Sequence, residues 1–207
     1  MIEVAREELG TAESPPGSNR TKYGREFGWD GVPWCVIFLW WCFQKADEHM
    51  AFYGGAKTAS CGTLLKWYSA QGQVVPKGDI RPGDIVILNF HGTSDTEHCG
   101  LVVDITPYSW VRTIEGNTSK NASQSNGGEV CLKTRSMDQI VGVCRPQYKE
   151  DDVDKKTDYE DHWARLAIER AIQKGVLRGY DDGTIRPDAP VTRAELATIL
   201  DRLGLLN

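Results

Sequence analysis

After Cys35, apolar side chains recur at Phe38, Leu39, Cys42, Phe43 and Ala46, the spacing of one face of an α-helix. This pattern predicts a helix beginning near Pro33, with Cys35 in its first turn on the buried side. A shorter helical stretch, Ile2 to Leu9, opens the chain and gives way to SPPGSNRT, a segment crowded with turn formers. A third helical piece, Thr63 to Gln71, precedes RPGD, a turn that launches a strand over Ile85 to Asn89. Further strands are predicted at Cys99 to Ile105, Trp110 to Glu115 and Ile140 to Arg145. Helices followed by a small antiparallel sheet make an α+β layout.

The pattern breaks at Lys149 to Thr157, KEDDVDKKT, nine residues with seven charges and one apolar side chain. This composition reads as a linker, dividing a domain over residues 1–148 from a smaller one over 158–207. In the smaller one, Trp163, Ala167 and Ala171, with Ile168 and Ile172, repeat at i, i+4 and predict an amphipathic helix ending at Gly175. GYDDGTIRPDAP is a turn-rich loop. A second helix starts at the capping box of Thr192 and Glu195 and is expected to bury Leu196, Ile199, Leu200 and Leu203. Two helices and a loop supply only about half a core, since a chain of roughly 50 residues buries little of its surface alone.

Composition narrows the function classes. Of 207 residues, 40% are hydrophobic and 26% charged, as in a globular protein. The longest strongly apolar stretch, Val36 to Phe43, is far short of the roughly 20 residues that span a bilayer, so no membrane span is expected. Basic residues number 24 against 29 acidic, a net charge of −5, and no block is basic, which removes the footprint of nucleic-acid binding. The N-terminus MIEVAREELG lacks the basic start and apolar centre of a secretory signal, and no signal peptide is expected. Six cysteines contain no CxxC pair, so structural zinc is not expected and free thiols are.

Cys35 is the first candidate for chemistry, because unpaired N–H groups and the positive dipole end of a helix favour the thiolate. A buried packing role is the commoner fate of a free cysteine, and Cys42, Cys99, Cys131 and Cys144, in or beside apolar patterns, are assigned to packing. His98 stands where alternation begins in EHCGLVVDI, and a neutral imidazole there can take a thiol proton and return it to a leaving amine. Seventeen residues on, Glu115 and Asn117 differ by two and are expected on one strand face. Either could hold the imidazole in its tautomer while the other orients substrate. Trp34, beside the thiol, is a candidate for substrate contact, whereas Trp40, Trp41 and Trp67 are assigned to packing.

PWCVIFLWW, PGDIVIL, EHCGLVVDI and TIEGN, in that order, resemble the CHAP domain, the cysteine, histidine-dependent amidohydrolase/peptidase. GSNRTKYGREFGWDGVPWC is similar to the N-terminal part of CHAP domains in phage endolysins and bacterial autolysins. The resemblance, over about residues 1–148, implies a papain-like fold and hydrolysis of amide bonds in peptidoglycan, with Cys35 as nucleophile, His98 as general base, and Glu115 with Asn117 as the acidic and amide residues. Many CHAP domains carry an aspartate-rich calcium loop before the nucleophile, whereas only Glu26 and Asp30 stand here. Two carboxylates fall short of the 6 to 8 oxygens calcium takes, so neither calcium nor any other cofactor is expected.

HWA, KGVLRGYDDGTIRPDAPVTRAE and the helix after it resemble a single surface-layer homology (SLH) motif over about residues 158–205. That resemblance implies attachment to a secondary cell-wall polymer, with Trp163 and Arg193 at the positions matching binding residues. The family presents three copies that pack together, so three chains are expected to associate as a homotrimer. A monomer in sedimentation at micromolar concentration would remove that expectation. Together the two resemblances imply a wall-lytic enzyme, either an N-acetylmuramoyl-L-alanine amidase or a peptidoglycan endopeptidase, resembling a phage endolysin that waits in the cytoplasm of an infected bacterium before reaching the wall. The alternative is a non-catalytic wall-binding protein with a degenerate hydrolase-like domain.

Overall fold

Ala5 is the buried residue of α1 (Ile2–Glu7), the short helix that opens the fold. The structure, a computed structural model, describes residues 1–106, 110–120, 126–149, 158–180 and 184–206, and divides into two units, Met1–Lys149 and Glu150–Asn207. The hydrophobic pattern gives no sign of α2 (Lys22–Phe27), a helix made by its ends. The Thr21 hydroxyl accepts from the Gly24 N–H at 2.9 Å, and Gly28 closes the last turn in the left-handed region at φ 94°.

The periodic run becomes α3 (Cys35–Lys45), in which every residue from Cys35 to Phe43 is buried. A helix that is apolar all round needs cover on every side. Here β2 and β3 supply it on one flank, and α1 and α2 on others. Next, α4 (Cys61–Ala70) is capped by Ser60, whose hydroxyl accepts from the Thr63 N–H at 3.2 Å.

Five antiparallel strands follow: β1 (Ile85–Leu88), β2 (His98–Thr106), β3 (Trp110–Thr118), β4 (Glu129–Ser136) and β5 (Ile140–Cys144). They lie in the order β4-β3-β2-β1-β5. Both faces of the sheet are covered, because Ile85, Ile87 and Leu101 join the helical core while Val86, Leu88 and Val102 pack with Ile80, Val111, Ile140 and Val143. The first unit is thus an α+β domain. The strands predicted from the sequence omit β4, on which Val130, Cys131 and Arg135 are buried.

Gly116 sets how closely α3 can approach β3. A Cβ added there would lie 2.6 Å from Phe38 Cβ and 2.7 Å from the Trp34 ring, closer than carbon atoms pack. Gly116→Ala is therefore expected to push helix and strand apart and destabilise the unit by about 1–3 kcal/mol, read by thermal denaturation. A variant melting with the parent would show that the contact relaxes freely.

Of the charged segment expected to be a linker, residues 150–157 lie outside the described residues. Lys149 is tied to the first unit, its N–H donating to Glu48 at 2.8 Å and its ammonium pairing with Asp47. The second unit holds α5 (Arg165–Gln173) and α6 (Arg193–Arg202). The Thr192 hydroxyl and Glu195 form the capping box at the start of α6. The expected burial of the α6 leucines is corrected: Leu196 and Leu203 are 51% and 49% exposed, and Ile199 and Leu200 are half-buried. Among the described residues of this unit the two short helices have no third layer to cover them, and Ile168 is the buried residue described along α5.

Candidate active site

Cys35 is the first residue of α3, and the residue before it, Trp34, makes no side-chain cap. The first-turn N–H groups are therefore not taken by a capping side chain, and the positive end of the helix faces the thiol. His98 is the first residue of β2 and fully buried. Its Nε2 lies 3.0 Å from Glu115 Oε2 on β3. Nδ1 is buried without a hydrogen-bond partner and is the ring nitrogen not engaged by Glu115.

Glu115 is fully buried, and its carboxylate is held from three sides. Besides His98, it accepts from the Thr113 hydroxyl at 2.6 Å and from Arg135 Nε at 2.8 Å, with the second guanidinium arm at 2.5 Å. Gly100 leaves room for this carboxylate, since a Cβ there would sit 2.7 Å from Glu115 Cγ. Arg135 comes from the strand that the sequence pattern misses, is 2% exposed, and stacks its guanidinium over the Phe90 ring at 4.8 Å. Its signal in the sequence is weak, because a lone arginine in a strand reads as surface.

The charges follow from these contacts. Burial would raise the Glu115 carboxyl, but Arg135 and then His98 overcome it and hold the group at about 2. Burial likewise opposes a charged His98, but Cys35 and Glu115 more than compensate, and its pKa rises to about 9. The Cys35 thiol is held well below its ordinary value by the neighbouring thiols of Cys61 and Cys99, with His98 adding to the effect against burial. Both shifts run toward a thiolate beside an imidazolium.

Cys61 and Cys99 are neighbours that sequence reasoning did not bring to the site. Cys61 Sγ lies 3.9 Å from Cys35 Sγ, and all three sulfurs lie within 4.8 Å of one another. Both flanking thiols are raised above their ordinary values; Cys61 chiefly by its contact with Cys35, Cys99 chiefly by burial. All six cysteines are free and buried.

The remaining candidates separate. Asn117 is buried, with neither side-chain amide atom hydrogen-bonded. Its positive φ of 59° and the register break between Glu115 and Thr118 mean that simple alternation does not set its direction relative to Glu115. Trp34, expected as a substrate contact, is instead 0% exposed and packs at 5.4 Å from the Tyr23 ring, so its indole offers no surface to a ligand. The two carboxylates before the nucleophile are engaged: Glu26 pairs with Lys45 at 2.9 Å, and Asp30 accepts from the Thr21 N–H at 2.9 Å.

In the second unit Trp163 is 91% exposed and lies 5.4 Å from the His162 ring. Arg193 is the exposed first residue of α6. A groove of about 630 Å³ in this unit is lined in part by Trp163, Tyr180, Glu195, Ile199 and Arg202.

Comparison with known proteins places two domains in the chain: a CHAP domain at residues 27–117, followed by an S-layer homology domain at residues 157–197. Curated relatives include the cellulosome-anchoring protein of Acetivibrio thermocellus, 43% identical over 56 residues, which are 26% of this chain and 12% of that protein. Cell surface glycoprotein 1 of the same organism is 51% identical over 39 residues, 19% of this chain and 2% of its own length. The outer membrane protein SlpA of Deinococcus radiodurans is 50% identical over 42 residues, 20% of this chain and 4% of its own. The chain thus spans only a small part of each of these relatives. Among solved structures, the crystal structure of a wild type endolysin LysIME-EF1 is similar at a TM-score of 0.44 and 16% identity, over 72% of this chain and 63% of that one.

Proposed function

We propose that this chain, with its CHAP domain ahead of its SLH domain, is a cysteine-dependent peptidoglycan hydrolase retained at the cell wall by its second unit. The observation that carries the reading is the buried row Arg135–Glu115–His98 behind a thiol at a helix start. In the proposed reaction the Cys35 thiolate attacks an amide carbonyl of the wall peptide, and the N–H groups of the first turn of α3 receive the developing oxyanion. His98, already carrying the proton, gives it to the departing amine, then draws a proton from the water that releases the acyl group. Glu115 fixes the ring through Nε2. Asn117 is retained as the amide residue of the site, the role the CHAP resemblance implies, with both its amide atoms buried and without partners.

The same thiolate can attack the sugar-to-peptide amide or an amide within the stem or cross-bridge. Mass spectrometry of digested peptidoglycan tests the reaction class. Fragments cut at an amide support the hydrolase, the position of the new amine separates amidase from endopeptidase, and undigested walls contradict the reading.

Charge states give a pH profile. As pH falls, activity is lost only when Cys35 takes up a proton, below the ordinary thiol value; as pH rises, it is lost as His98 deprotonates at about 9. Initial rates of wall clearing are therefore expected to hold below the ordinary thiol range and to decline above that upper limit. A rate that climbs steadily through alkaline pH would mark an ordinary thiol.

Wall retention is assigned to the second unit, with Trp163 and Arg193 as the polymer contacts. Deleting residues 150–207 is expected to lower the fraction sedimenting with walls at least several-fold, while soluble peptidoglycan fragments are still cleaved. Equal retention would remove the anchor. The cell wall is the proposed site of action.

A further inference from the structure

The hydrolytic mechanism needs one thiol, yet three converge. Cys35 is the first residue of α3 and Cys61 the first residue of α4, so two helix N-termini point their positive ends at one pair of sulfurs 3.9 Å apart. Cys99, next to His98 on β2, brings the third sulfur within 4.8 Å of both. A metal–sulfur bond of about 2.3 Å in tetrahedral geometry sets sulfurs about 3.8 Å apart, so one edge already fits and the others close with a shift of up to about 1 Å.

We propose that Cys35, Cys61 and Cys99 form a site for a thiophilic divalent cation, of the Zn²⁺ or Cd²⁺ kind, whose binding masks the nucleophile and reversibly silences the enzyme. Soft thiolates select such cations over the oxygen-seeking calcium and magnesium. Cys35 enters as a thiolate, and ligation sends the protons of the Cys61 and Cys99 thiols to solvent, leaving a fourth position for water. The slight exposure of Cys35 and Cys61, 6% each against 0% for Cys99, gives the cation its entry. The effect on turnover rests on Cys35 being the nucleophile; binding does not.

The test uses the full chain, reduced and stripped of metal by a chelator, titrated with Cd²⁺ and followed by the ultraviolet absorption of cadmium thiolates. One Cd²⁺ per chain with the absorption of three thiolates is expected, and Zn²⁺ should compete for it. Cys61→Ser keeps a hydroxyl donor beside Cys35 but loses a soft ligand. It should weaken binding by more than the 10- to 100-fold that loss of an outer-shell partner costs. If Cys99→Ser fails to fold, the Cys61 variant alone decides. In the wall-clearing assay, one equivalent of Zn²⁺ should stop the parent and a chelator should restore it. Absorption of a single thiolate, equal affinity in Cys61→Ser, or a Cys35–Cys61 disulfide in place of bound metal would overturn the site. A three-thiolate signal from a chain that never cleaves walls would instead leave the site standing and overturn the hydrolase reading.

Discussion

Cys35→Ala is expected to abolish wall clearing, lowering the rate on the order of 10⁴-fold or more, the scale on which loss of a nucleophile acts in thiol and serine hydrolases. Cys99 cannot substitute, because burial, the chief cause of its raised value, persists in the variant. His98→Ala should lose a comparable amount, since the thiolate then lacks its counter-ion and the departing amine its proton. Both variants should still sediment with walls, because the second unit is untouched. Turbidity and pelleting assays on the same samples read both quantities. A Cys35→Ala protein that lyses as fast as the parent would mean that the nucleophile lies elsewhere.

Arg135→Met carries the second large effect. The guanidinium is 2% exposed and meets a carboxylate at 0% exposure, so its removal takes from a buried charge the stronger of its two counter-charges. Breaking one side of such a pair costs about 3–5 kcal/mol, and for a domain of this size each kcal/mol moves the melting temperature by about 2–4 °C, giving a fall on the order of 10 °C. The chemistry should change as well. Without Arg135 the Glu115 carboxyl loses its strongest opposition to burial and rises, which weakens its hold on the His98 proton. The alkaline limb of the activity profile should then move below its parental position at about 9. Arg135→Lys should rescue only part of this, because one ammonium cannot reproduce the two-armed contact. An Arg135→Met protein with an unchanged melting temperature and pH profile would contradict the role given to this residue.

What the sequence revealed depends on how local each signal is. The apolar spacing after Cys35 sets a helix start, and alternation from His98 sets a strand start, so the two principal side chains are legible in residue order alone. Arg135 is not, because a charged residue in EVCLKTRS signals solvent until Glu115 is known to lie beside it. Cys61 and Cys99 escape for the same reason: nothing local says that two helix starts and a strand start meet. Asn117 defeats the period-two rule, which assumes extended backbone and fails at a positive φ. Trp34 shows the reverse error, since adjacency to a reactive group says nothing of exposure, and its ring turns into the core. In the second unit, periodicity gives the two helices correctly, yet burial cannot be read from one amphipathic face when the described residues offer it no partner layer.

The central claim, that Cys35 is ionised at neutral pH through its surroundings and His98, is tested most directly by the pH dependence of its alkylation with iodoacetamide, followed by peptide mass mapping. The account predicts rapid modification of Cys35 well below about pH 8.5, the range in which an ordinary thiol ionises, with the inflection moving upward in His98→Gln. A rate that rises only through that ordinary range, and is the same with and without His98, would contradict it.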